Sequence, residues 1–191
     1  MGTRGLLGLI IKGKRHGAYN HFDSYPSGLG SEIAKFILSL TPEEWDEMAK
    51  LVEGITWVKE GEKPSKELQE RYSSLGFADL QVSNRALEDW YCLLRKVQFD
   101  KTLPAIKSGN LKHLVESIDF LKDGLFCEWA YFIDFENKTL ETFKNGKAIE
   151  QVSFEKLGEA GGEEYMTLLE KRLRREENGE GDEDEDTSRD S

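Results

Sequence analysis

The residues able to do chemistry concentrate in Ala18–Ser31, AYNHFDSYPSGLGS, which gathers a histidine, an aspartate, two tyrosines, three serines and two glycines. Read as the end of a strand, Tyr19, His21 and Asp23 share one face, because side chains two residues apart point the same way. His-x-Asp is a spacing in which a carboxylate orients an imidazole for proton transfer, or in which both ligate a metal. A metal centre needs a third ligand, and the other histidines, His16 and His113, stand at no telling spacing; no metal and no cofactor are assigned. The structural alternative is a hydrogen-bonded cluster that fixes a strand-to-turn geometry.

Two further candidates adjoin this segment. Gly28-Leu29-Gly30-Ser31 before a helix has the form of half a phosphate cradle, since helix N-termini bind anions. Glu32 already places negative charge there, however, and no Walker-type lysine follows, so a glycine turn with a serine cap is the preferred reading. Thr3 and Arg4 open the first strand. That layout is shared with N-terminal-nucleophile hydrolases, in which a strand's first residue uses its own amine as base. Exposing Thr3 would require removal of Gly2 as well as Met1. The catalytic candidates are therefore Thr3, His21 and Asp23.

The elements that must position these residues are legible from periodicity and turn chemistry. Leu6–Ile11 reads as a strand, Lys12–Gly17 as a glycine-flanked hairpin tip, and Ala18–Asp23 as the return strand. A hairpin closed near Gly13–Gly17 brings Arg4 back beside Asp23. Arg4, Tyr19, His21, Asp23 and Tyr25 are accordingly expected to converge in one partly open pocket.

Beyond Pro26–Gly28, Ser31 is expected to cap a helix to about Leu40. Thr41-Pro42-Glu43-Glu44 is a capping box opening another, ended by Gly54. Ile55–Val58 is a short strand or a buried connector. Ser65 caps a helix to Ser74. Ser83 opens one carrying Leu87, Trp90, Tyr91, Leu94 and Val97 at helical spacing. Short helices broken at Pro104 and Gly109 fill Phe99–Asp123.

The last β signal is Phe126–Phe143, with Cys127, Trp129, Tyr131, Ile133 and Phe135 on one face and Phe126, Ala130 and Phe132 on the other. It turns at Glu136–Lys138, and Asn145-Gly146 leads on to Ile149–Phe154. A helix over Glu163–Arg175 follows. The expected fold is α+β, with one mixed, mainly antiparallel sheet made of N- and C-terminal strands and packed against the intervening helices.

MGTRG at the start, YNHFDSYPSGLG, and EWAYFIDFENKTLETFKNG further on together resemble an uncharacterised family of small fungal, bacterial and phage proteins. The likeness covers the first thirty residues and the Cys127–Gly146 hairpin. It implies one intracellular domain and carries no catalytic residue with it.

Charge distribution narrows the function classes. The 191 residues carry a net charge of −11. Glu176–Ser191 alone holds nine acidic residues and one arginine, which leaves −3 for the rest. The expected division is a domain over residues 1–175 and a disordered acidic tail over 176–191. No broad basic surface favours nucleic acid. Lys171–Arg175 is read as cations at a helix C-terminus. The apolar run in MGTRGLLGLII is too short for a membrane span, and Leu6 breaks the myristoylation pattern. Cys92 and Cys127 read as reduced, packed thiols of a cytoplasmic protein. The sequence thus supports a protein of unknown activity that binds a small molecule or a protein through residues 18–31 and the N-terminus. The rival reading is an amidohydrolase of the N-terminal-nucleophile kind.

Overall fold

A computed structural model describes residues 2–179. The chain opens with β1 (Gly5–Ile11) and β2 (Lys14–Asn20), an antiparallel hairpin. Its turn is only Lys12-Gly13, with φ of 50° and 76°. Both central residues are left-handed, as the two-residue turns that match strand twist require. The hairpin is therefore tighter than the basic tip suggested, and the return strand starts at Lys14 and stops at Asn20.

After a π-helical turn at Pro26–Gly30 come α1 (Ser31–Ser39) and α2 (Pro42–Glu53). The capping box is present: Glu44 N–H donates to Thr41 Oγ1, and Thr41 N–H donates to Glu44 Oε1. Ser31 does not cap α1. Gly30 holds that position, and the Ser31 hydroxyl donates to the Pro26 carbonyl at 3.1 Å.

β3 (Thr56–Val58) and α3 (Lys66–Ser74) follow, the latter capped by Ser65 as expected. The long helix expected from Ser83 is absent. A 3-10 turn at Ala86–Glu88 and the four-residue α4 (Trp90–Leu93) stand in its place. The apolar spacing there instead serves α4 and the compact coil after it, in which Trp90, Leu93, Leu94 and Val97 are all buried. α5 (Thr102–Lys107) tolerates Pro104 because proline fits a helix's first turn. β4 (His113–Val115), which the sequence reading missed, pairs in parallel with β3.

The remaining elements are β5 (Trp129–Asp134), β6 (Thr139–Lys144), β7 (Lys147–Ser153), α6 (Phe154–Ala160) and α7 (Gly162–Glu177). The second tight turn, Asn145-Gly146, repeats the left-handed pair with φ of 49° and 78°. The main sheet runs β2-β1-β5-β6-β7, antiparallel throughout except for the parallel β1–β5 pair. The fold is thus α+β, with a mixed, mainly antiparallel sheet built from the two ends of the chain.

β5 is buried on both faces. Trp129, Tyr131, Ile133 and Phe135 enter the large core beneath the helices, while Ala130 and Phe132 join Leu6 and Phe143 in a smaller cluster on the opposite face. Cys127 belongs to the smaller cluster, not to the Trp129 face. It precedes the strand and its N–H donates to Asp123 C=O, so strand alternation does not reach back to it. Phe126 likewise escapes burial and is 48% exposed. α7 runs on to Glu177, two residues into the segment expected to be tail, and residues 180–191 of that tail lie outside the described residues. No helix among the described residues is long and apolar enough to cross a membrane.

Gly5 and Gly8 make the parallel β1–β5 contact possible. A Cβ on Gly5 would run into the Trp129 carbonyl and the Ser24 side chain, and one on Gly8 into the Phe132 ring. The Trp129 oxygen is main chain in the central strand, so it cannot yield. Gly5→Ala is therefore expected to lower unfolding free energy by about 2–3 kcal/mol through overpacking. Urea denaturation measures this, and a loss indistinguishable from zero would contradict the packing described.

Candidate functional site

The site grows from the free edge of β2. The two-residue turn makes Ile11 and Lys14 a hydrogen-bonded pair, and pairs alternate from there along an antiparallel ladder. Leu9–His16, Leu7–Ala18 and Gly5–Asn20 then exchange bonds within the hairpin. Gly17 and Tyr19 instead aim their N–H and C=O outward, away from β1. The partners agree. Gly17 C=O accepts from Ser117 N–H at 2.7 Å, and Gly17 N–H donates to Glu116 Oε1 at 3.4 Å. Two residues past Tyr19, His21 N–H donates to Gln98 Oε1 at 3.0 Å.

Between these two bridges lies a cavity of about 780 Å³. That size suits a small-molecule ligand. Its walls come from the β2 edge, from the chain after β4, and from the coil that follows α4. Rings form one part of the wall: Tyr19 stands 5.4 Å from Phe120 and 6.0 Å from Tyr91, centroid to centroid, and Trp90 and Phe99 also line the space, while Lys59, Glu60, Glu116 and Asp119 add charge. Tyr19 Oη lies 2.9 Å from His21 Nδ1. Burial is the leading influence on the Tyr19 phenol and raises its pKa, with the nearby Arg4 guanidinium opposing it. At neutral pH the phenol is protonated.

The strand ends at Asn20 because its buried side chain takes over the bonding. Nδ2 donates to Phe22 C=O at 2.7 Å and to Ser24 Oγ at 2.8 Å, while Oδ1 accepts from Phe99 N–H at 3.2 Å. Phe99 is held there with φ of 59°, a left-handed conformation costly for a bulky residue. On the other wall His16 Nδ1 lies 2.7 Å from Glu116 Oε2, and the His16 ring stacks on Trp57 at 4.7 Å.

The expected five-residue convergence divides in two. Tyr19 and His21 line the cavity. Arg4 lies near the Tyr19 phenol, but its guanidinium rests over the Phe126 ring at 5.1 Å and the residue is not part of the lining. Asp23 and Tyr25 lie elsewhere. Asp23 adopts φ of 55° past the end of the strand, so the two-residue alternation linking it to His21 is broken. Its carboxylate instead stands by the Tyr25 phenol and raises that pKa. Among the described residues Arg4 and Asp23 form no ion pair. Thr3 supplies its C=O to Ser24 N–H at 3.1 Å and is likewise outside the lining.

The glycine-rich turn also has a structural occupant. Ser27 N–H donates to Glu170 Oε2 at 2.9 Å, so a buried carboxylate of α7 sits where an anion would. Gly28 and Gly30 admit the Asp23 carbonyl and the Tyr131 ring, respectively, at close range. The hydroxyls near the cavity are engaged as well: Thr102 Oγ1 donates to Val97 C=O at 2.9 Å. Among the described residues no group of three His, Cys, Asp or Glu side chains is placed to hold a metal ion.

Sequence reasoning missed Gln98, Phe99, Glu116, Ser117 and Phe120. None sits in a motif, and each reaches the site only through the long-range docking of coil onto the β2 edge. The unusual Asn20, bounded by strand and turn, was the one local signal. Comparison with protein-family models, curated proteins and solved structures finds no match.

Trp90, a cavity wall, is backed by His113, whose ring stacks on it at 5.3 Å. Lys112 N–H donates to the Tyr72 oxygen, leaving the Tyr72 hydroxyl to donate to His113 Nδ1 at 2.6 Å. Nδ1 must stay unprotonated. Burial, then the Arg71 and Lys112 charges, lower the His113 pKa. A lowered histidine pKa means the unfolded chain binds the extra proton first, so this contribution is complete above about pH 6.5 and declines as pH falls below it. Melting temperature should drop between about pH 6.5 and pH 5, above the carboxylate range. His113→Asn, which keeps an acceptor for Tyr72, should flatten that slope; an unchanged slope would assign it to other groups.

Proposed function

We propose that the protein binds a small organic molecule in the cleft at the free edge of β2. The observation that carries this is the aromatic-walled cavity of about 780 Å³ with convergent polar groups. Mostly apolar walls with a few placed polar atoms are the usual composition of a ligand site. Tyr19, Tyr91 and Phe120 supply stacking surface, and the hydrogen-bonded Tyr19–His21 pair supplies polar groups at the rim. The Ala18–Ser31 segment and the N-terminal strand are the frame of this site: Tyr19 and His21 touch the ligand, Arg4 tunes the Tyr19 phenol, and Asp23 and Tyr25 brace the turn.

This reading outranks the N-terminal-nucleophile hydrolase because the cavity offers binding surface without an activated nucleophile beside Tyr19 and His21. Both thiols are poor nucleophiles: burial pushes Cys92 up to about 11 and Cys127 up to about 12. Two buried free thiols suit a reducing compartment, and an intracellular site of action accompanies the proposal.

Titrating ¹⁵N-labelled protein with indole tests the cavity. Saturable amide shifts confined to Tyr19, His21, Gln98 and Ser117 are expected, and Tyr19→Ala should weaken binding by about tenfold, in line with a lost aromatic contact. Shifts that never saturate, or that scatter over the surface, would refute a ligand site here.

A further inference from the structure

The edge of β2 shows what chemistry the ligand carries, given that the cleft is a ligand site. Gly17 is bonded by Glu116 and Ser117, and His21 by Gln98. All three of those partners line the cavity, so the outward side of the edge is the cavity side. Tyr19 lies between them with its N–H and C=O aimed the same way. No hydrogen bond joins either group to another described residue. The main chain thus presents one donor and one acceptor, side by side, on the floor of a ring-lined space.

An outward-facing strand residue of this kind has one natural complement. In a narrow antiparallel pair, two residues exchange N–H···O=C bonds with each other. A ligand that reproduces that exchange needs an N–H and a C=O on the two sides of one tetrahedral carbon, as in an acylated amino acid. The side chain on that carbon would then stand among Tyr19, Tyr91 and Phe120, where an aromatic ring packs best. We infer that the cleft takes a single capped aromatic amino-acid unit, paired antiparallel with the Tyr19 main chain.

The same geometry excludes a longer strand. Edge addition of a peptide normally runs over several residues. Within the cleft the edge is open for one residue only, because the Ser117–Gly17 and Gln98–His21 bonds close it on both sides. The ligand is therefore a small molecule with one extended residue, and not a segment of a partner protein.

Three probes decide the matter. N-acetyl-L-phenylalanine N-methylamide should bind saturably and move the Tyr19 amide proton downfield, with slowed hydrogen exchange at that site. Its analogue with ester oxygen in place of the acetylated N–H keeps the ring and the shape but loses the donor to Tyr19 C=O. It should bind about tenfold more weakly, the scale of one hydrogen bond lost in a partly buried site. A peptide extended by two residues at each end should bind more weakly still. Equal binding of amide and ester would overturn the pairing while leaving an aromatic cavity that still takes indole. Tighter binding of the extended peptide would overturn the one-residue limit. Failure of both the capped amino acid and indole would remove the cleft as a ligand site altogether.

Discussion

The Asn20 side chain is the constraint on which the rest of the site depends. It is 2% exposed and makes three hydrogen bonds, to Phe22, Ser24 and Phe99. A buried carboxamide left unpaired costs about 1–3 kcal/mol for each unsatisfied group, so this side chain has a strong preference for one arrangement of its neighbours. Through Ser24 it connects to the core, since Tyr131 donates its hydroxyl to Ser24 C=O at 2.7 Å from the middle of β5. Through Phe99 it connects to the cavity wall. One residue therefore ties the central strand, the end of β2 and the coil after α4 into a single geometry.

That tie also explains the strain at Phe99. Its left-handed conformation costs on the order of 1–3 kcal/mol, which persists only where the surroundings determine it several times over. The Asn20 bond to its N–H and the Gln98 bond to His21 N–H fix two successive residues of the same coil against β2. The cavity mouth is consequently set by the docking of irregular chain, with no regular element running across it. Most of the histidines belong to that docking. His16 joins Glu116 and Trp57 on one side, and His113 braces Trp90 on the other.

What the sequence disclosed follows the same division between local and distant causes. β1, the capping box of α2, the Ser65 cap and the Asn145-Gly146 turn are fixed by neighbours within a few residues, and all were legible. The Ala18–Ser31 segment was visible as an anomaly, but its composition pointed to one pocket of five residues where most of its polar atoms perform bracing. Asn20, Ser24, Ser27 and Ser31 each satisfy main-chain or side-chain partners of the turn. The strand alternation that placed Asp23 beside His21 failed because Asn20 ends the strand three residues earlier. The Ser83–Val97 helix failed because apolar spacing records burial, which compact coil supplies as well as helix does. Gln98 and Ser117 carry no local signal, since their role exists only after the coil has met the sheet.

The two edges of the main sheet are treated differently, and the contrast bears on function. A free strand edge invites pairing with other chains, and proteins guard it with charge, bulges or cover. β7 has both of the first two devices: Lys147 and Glu150 stand along it, and a register irregularity at Thr142–Phe143 disturbs the adjoining ladder. The second half of β2 is covered instead, by Ser117 and Glu116 at Gly17 and by Gln98 at His21. Covering one more residue would have required only that the coil stay in register past Ser117. The chain instead diverges there, and rings surround the uncovered residue. A gap left by poor packing would be lined at random; this one is flanked on each side by a hydrogen bond and walled by aromatic side chains from separate segments. Edge protection alone accounts for the cover and not for the opening, whereas the ligand binding proposed above would account for both.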